Sequence, residues 1–209
     1  MHISRFLTLA LVGLATLLQP AAAAEPARSA ETEPPDVRQL AQAALATRDS
    51  QGLPFAIVDK KGARVFIYGA DGGLKGASPV LLGLARGDDS VPGIGERKMS
   101  AIRPEERTTP AGRFISEPGV NLQGEDIVWI DYEAAVSMHR VRTGNKNERR
   151  LERLASTLAE DHRISYGCIN VPAKFYDAHV KPLFGRAPGV IYVLPETRPP
   201  RDYFKFLPH

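Results

Sequence analysis

Residues 55–84 read FAIVDKKGARVFIYGADGGLKGASPVLLGL, and this stretch decides the fold class. Phe55–Asp59, Arg64–Tyr68 and residues 78–84 are short runs rich in β-branched, aromatic and other apolar side chains, which suit a pleated, half-buried surface. Lys60-Lys61-Gly62 and Asp71-Gly72-Gly73 separate them as turn signals, because glycine supplies backbone conformations that other residues resist. The pattern predicts an antiparallel meander. Further along, residues 126–138 read as two strands or one bent strand, and Gly189–Leu194 as a last one. Residues 36–47 predict a short helix with Val37, Leu40, Ala41, Ala44 and Leu45 on one face.

Residues 86–109 are polar and rich in Gly, Pro and Arg, and predict a long loop. In residues 144–161, Leu151, Leu154, Ala155 and Leu158 recur at helical spacing, with Asn145 as cap and Glu148 three positions on. Residues 171–184 predict another helix with Pro172 in its first turn. The tail, 195–209, carries four prolines and predicts irregular chain. Strands early and helices late point to a β-rich fold, mainly β or α+β.

The chain has 209 residues, 43% hydrophobic and 24% charged, with a formal net charge of +3. These values exclude collagen-like, largely disordered and multi-span membrane chains. No long Lys/Arg block supports nucleic acid as a partner. His2 and Arg5, an apolar run over 6–18 and an A-x-A-like site at 21–24 read as a secretory signal peptide. The other reading is an uncleaved anchor, for which the run is short. Residues 25–35 read as a linker without apolar periodicity. Export directs attention to Cys168, the one cysteine. A lone thiol in an oxidising compartment is either buried and inert or has chemistry to do.

Of the five histidines, His139 ends a strand-like run and His162 precedes Cys168 in a polar loop. A thiol with an imidazole in reach is the minimum for acyl transfer, since the ring takes the proton and the thiolate attacks a carbonyl. Gly167 permits a tight turn before Cys168, and a helix following it would favour thiolate. No metal-ligand spacing and no phosphate loop are present, so no cofactor or metal is expected. Most of the basic character of residues 140–163 reads as a solvated helix face.

Three segments, in order, resemble the L,D-transpeptidase catalytic domain (YkuD-like) family. Thr109-Pro110-Ala111-Gly112-Arg113-Phe114 looks like its TPxGxF element. Val136-Ser137-Met138-His139 resembles the strand that ends in its histidine. Ser165-Tyr166-Gly167-Cys168-Ile169-Asn170 resembles its SHGChN nucleophile motif, with Tyr166 in place of the motif's histidine. The resemblance covers roughly 53–195 and implies an L,D-transpeptidase-like β-sandwich with a few helices packed on it. It makes residues 53–195 the catalytic domain, 25–52 a linker with a short helix, and 196–209 a tail.

The resemblance also implies a site of Cys168, His139, Ser165, Gly167 and Arg140. Cys168 is then the nucleophile and His139 the base, oriented by the Arg140 carbonyl. Backbone N–H groups near Gly167 and Cys168 form the oxyanion hole. The implied substrate is the peptidoglycan stem peptide, in the periplasm or cell envelope, with a role in cell wall biogenesis and cell shape. The acceptor is a second stem or a wall-attached protein. The same thiol would serve an L,D-carboxypeptidase or amidase, and a non-catalytic wall-binding relative is the other class. Two departures bear on the site. Arg140 is expected to narrow or charge the cleft. The long segment between His139 and Cys168 is expected to form a helix capping it.

Overall fold

Two strands are buried throughout, and the structure shows why. In the computed structural model, which describes residues 33–208, β1 (Phe55–Asp59) and β10 (Gly189–Leu194) pair in parallel at the middle of the sheet. Side chains alternate across a strand. Ala56, Val58, Ile191 and Val193 enter one core, while Phe55, Ile57, Val190 and Tyr192 enter another on the opposite face. A strand covered on both faces needs a continuous apolar run rather than alternation. The readings of residues 1–24 and of 25–32 lie outside the described residues, as does His209.

With β2 (Arg64–Tyr68), β3 (Leu74–Pro79), β5 (Gly112–Val120), β6 (Asp126–Asp131), β7 (Val136–Arg140) and β9 (Ile169–Val171), the sheet has eight strands, in the order β3-β2-β1-β10-β5-β6-β7-β9. β4 (Leu82–Gly83) and β8 (Arg163–Ser165) form a parallel pair of their own. The expected meander is present, except that its third strand starts at Leu74 and ends at Pro79. Proline has no N–H for a ladder, so the apolar run over 78–84 is split there.

β5 turns the corner. Its residues 112–116 pair with β10 and its residues 117–120 with β6. The halves on either side, β2-β1-β10 and β6-β7-β9, thereby contribute to the same apolar core. This is the sandwich with a few packed helices that the motifs imply. α3 (173–184) fills that core with Tyr176, Val180 and Phe184. It starts two residues later than expected because Val171 pairs with Arg140 in the sheet. Its middle turn, Tyr176–Val180, widens to a π-helix just before Pro182, which has no N–H to give.

The second core is closed by α1 (Pro35–Ala46) and by the tail. Val37, Leu40, Ala41 and Ala44 of α1 and Phe204 and Leu207 of the tail are buried in it. The tail contains a helical turn, Pro200–Tyr203, and is packed rather than loose.

The expected helix over 144–161 is broken into three pieces. A 3-10 turn, Lys146–Glu148, is capped by Asn145, whose side chain accepts from the Asn147 N–H at 3.2 Å. Arg149 is left-handed at φ 50°, which interrupts the helix. α2 (Arg150–Ala155) comes next, Ser156 is extended, and a last turn spans Ala159–His162. Leu154 is buried, but Leu151 and Leu158 are 59% and 65% exposed. The three leucines therefore do not form one buried stripe.

The loop over 86–109 is held by a buried ion network. The Lys60 ammonium, with no exposure, donates to the Gly87 carbonyl at 2.6 Å, Asp88 Oδ1 at 2.7 Å and the Thr109 carbonyl at 2.9 Å. Glu196 and Arg163 complete it, with Arg163 Nη2 2.5 Å from Glu196 Oε2. Burial lowers the Lys60 pKa, and Asp88 partly restores it. Burial pushes the Asp88 carboxyl up, but its hydrogen bonds from Lys60 and from Thr197 win and hold it well below the usual carboxylate range. Lys60→Met removes the cation and leaves two buried carboxylates facing one arginine. Stability should fall by about 3–5 kcal/mol, read from urea unfolding.

Candidate active site

The strand period places the first two groups. In β7, Val136 and Met138 face the core, so Ser137 and His139 share the other face. β9 runs parallel to β7, with Met138 opposite Ile169 and His139 opposite Asn170. One step back along this register sets Cys168 beside Ser137. The Ser137 hydroxyl is 3.6 Å from Cys168 Sγ, and the Ala135 carbonyl is 3.6 Å from it on the other side.

The turn into Cys168 requires glycine. Gly167 has φ 130°, and a Cβ there would lie 2.7 Å from the Thr108 carbonyl oxygen. The Ser165 hydroxyl accepts from the Gly167 N–H at 3.1 Å and donates to the Cys168 carbonyl at 2.7 Å. Thr109 Oγ1 donates to the Gly167 carbonyl at 2.8 Å and accepts from the Gly83 N–H at 2.9 Å. The first residue of the TPxGxF-like element thus braces the nucleophile turn. Lys60 in turn holds the carbonyl of Thr109.

His139 Nδ1 lies 2.8 Å from the Arg140 carbonyl. A carbonyl only accepts, so Nδ1 carries the hydrogen and Nε2 of the neutral ring is left with its lone pair. Cys168 is half-buried. Burial by itself would push its thiol up. The hydrogen bond and charge of His139, with the N–H and hydroxyl of Ser137, outweigh this and hold the thiol below its ordinary value. Alkylation by iodoacetamide, tracked against pH, should reach half its plateau below the free-thiol value of about 8.5. In His139→Ala the midpoint should rise, because the largest lowering influence is gone.

Both groups open on a cleft of about 350 Å³ that Ser165, Tyr166, Asn170, Arg142 and Arg150 also line. Gly144, Asn145 and Glu148 form part of its wall, so the inserted segment does border the site, with its first turn and the start of α2 rather than with one long helix.

All five expected residues fall in this one region, with some changes of detail. The Gly167 N–H is taken by Ser165, whereas the Cys168 N–H has no acceptor among the described residues. Only the latter is free for an oxyanion. The Arg140 side chain leaves the cleft, pairing with Asp126 at 3.1 Å and Asp177 at 2.5 Å and lying over the Tyr176 ring. It does not narrow the cleft. No helix comes directly after Cys168, since β9 intervenes. Tyr166 stacks under the Arg107 guanidinium at 4.0 Å. His162 is buried rather than solvated, with Nδ1 2.9 Å from the Val80 carbonyl and Nε2 3.1 Å from the Ser156 carbonyl. Ser137 joins the site without having been singled out by the motifs, although its place two residues before His139 on a strand is a usable signal.

No protein-family model matches the chain, and no curated protein matches it. Among solved structures, 24 chains match. The catalytic domain of an L,D-transpeptidase from Enterococcus faecium is 19% identical, over 68% of this chain and 96% of that one, with a TM-score of 0.35. The helical cell shape determining protein Pgp2 from Campylobacter jejuni is 12% identical, over 70% and 49%, with a TM-score of 0.46. An L,D-transpeptidase from Mycobacterium smegmatis is 16% identical, over 67% and 58%, with a TM-score of 0.36. The chain spans about half the length, 49%, of the first solved structures it matches. The side-chain geometry of the cleft, rather than these distant likenesses, indicates the chemistry the site can perform.

Proposed function

We propose that the chain is a cysteine acyltransferase of the L,D-transpeptidase type, acting on peptidoglycan stem peptides in the cell envelope. One observation carries this: a thiol held below its ordinary value beside a histidine whose Nδ1 is fixed on a carbonyl. That arrangement supports a thiol–imidazole pair poised for acyl transfer.

Nε2 of His139 takes the Cys168 proton, and the thiolate attacks the carbonyl carbon of the third stem residue. The carbonyl oxygen gains the negative charge, and the free Cys168 N–H faces it. The imidazolium returns its proton to the departing D-alanine nitrogen as the C–N bond breaks, leaving a thioester on Cys168. An acceptor amine then loses a proton to His139 and attacks the thioester. The new amide forms and the thiolate leaves. With water as acceptor the product is a free acid, which is the carboxypeptidase outcome. Arg142, in the cleft wall, is paired with Glu125 at 2.7 Å, so its charge is balanced by the protein itself.

Digesting purified wall with the protein, then identifying the products by mass spectrometry, tests the proposal. Cross-links between third residues, or a protein joined to a stem, are the expected products. Shortened stems alone would make the protein a hydrolase. Unchanged wall would overturn the catalytic reading in favour of a binding role.

A further inference from the structure

We infer that Arg150, in the inserted segment, is a positioning residue for the nucleophile, acting through the side-chain amide of Asn170. The inference rests on the proposal that Cys168 is the nucleophile.

An asparagine amide can present its oxygen or its NH2 to a neighbour. Here Arg150 Nη1 is 2.5 Å from Asn170 Oδ1, and Asn170 Nδ2 is 3.1 Å from the Cys168 carbonyl. A guanidinium has donors only. It therefore forces the oxygen of the amide toward itself and the NH2 toward Cys168. The flipped amide would set N–H against N–H at one end and oxygen against oxygen at the other.

Asn170 has little other freedom. It is 1% exposed, its backbone exchanges two hydrogen bonds with Leu81 at 2.8 and 2.9 Å, and it stands opposite His139 in the sheet. Arg150 is itself restrained, since its Nε is 2.5 Å from Glu148 Oε2 and its side chain is 14% exposed. Glu148 also balances the charge of the guanidinium.

The Cys168 carbonyl has two donors, the Ser165 hydroxyl and the Asn170 amide. Ser165 ends β8, in the separate β4–β8 pair. Asn170 is the tie to the sheet that carries His139. Its polarity thus holds the peptide plane after Cys168, one of the two planes that place the Cα from which Sγ projects. A misdirected reacting atom is expensive in rate even when the substrate still binds.

The test is a double-mutant cycle on the rate and KM of stem-peptide acylation. Arg150→Met keeps the bulk of the stem and removes the donors. It should lower kcat by about 10- to 100-fold with KM nearly unchanged. In an Asn170→Ala background the same change should add little, because the amide it orients is gone. Arg150→Lys, which keeps a donor and the charge, should recover part of the rate, and it serves if Arg150→Met does not fold. A rise in KM with kcat unchanged, or fully additive losses in the cycle, would overturn the inference and make Arg150 a substrate contact. If no acyl group forms on Cys168 in the unmodified protein, the fault lies with the functional proposal rather than with Arg150.

Discussion

Cys168→Ala is expected to reduce acyl transfer to background while the fold survives. The chemical reason is that no other thiol exists in the chain, so no side chain can form the thioester. Serine would not rescue it, because a hydroxyl at neutral pH is a far weaker nucleophile than a thiol already held below its ordinary value. The structural reason is that the thiol makes few demands. It is half-buried, and its hydroxyl and carbonyl neighbours sit at a long 3.6 Å. The loss of stability should stay near about 1 kcal/mol. The turn is held by Ser165, Thr109 and Asn170, none of which bonds to sulfur. Product analysis and a thermal melt on the same preparation check both halves. Full activity in the alanine variant would remove the chemistry proposed here.

His139→Ala and His162→Ala should separate in opposite ways. His139 is partly open to the cleft and contributes a base, so its loss should slow acylation by roughly 10²–10⁴-fold with little effect on unfolding. His162 is 4% exposed, and its Nδ1 lies 2.9 Å from the buried Val80 carbonyl. Its loss leaves the buried Val80 carbonyl without that donor and should destabilise the fold by about 1–3 kcal/mol. The acylation rate of the fraction that remains folded should change far less than in His139→Ala. Acylation rates and urea midpoints, measured on both variants, separate the two roles. The reverse pattern would reassign the base to His162.

Much of this is legible in the sequence, for physical reasons that also explain the misses. β1, β2 and β10 can be read because both faces of the central strands are covered, which forces unbroken apolar runs between turn residues. β5 cannot. Its GRFISEPGV holds a proline, two glycines and several polar side chains, and its pairing with two different neighbours exists only in three dimensions. The periodic leucines of 144–161 suggest one helix, yet the left-handed Arg149 and extended Ser156 break it, and nothing in the local pattern marks those two positions. In the tail, prolines mask Phe204 and Leu207, which close the second core.

The site divides in the same way. Cys168, His139 and Gly167 are legible because each sits in a short motif whose chemistry needs that residue type. Ser165 and Arg140 come from resemblance, and their roles there are a hydroxyl brace and a backbone carbonyl, neither visible as a side-chain pattern. Arg150 is hidden altogether. It reaches Asn170 from 20 residues away in sequence, and a solvated basic face is the natural reading of its neighbourhood.

The most direct test of the central claim is intact-protein mass spectrometry after brief exposure to a purified tetrapeptide-stem fragment of peptidoglycan. The account predicts an adduct equal to the fragment minus its terminal D-alanine, held as a thioester, mapped to Cys168 and absent from Cys168→Ala. Turnover of the fragment with no adduct at Cys168, or an adduct that persists in Cys168→Ala, would contradict it.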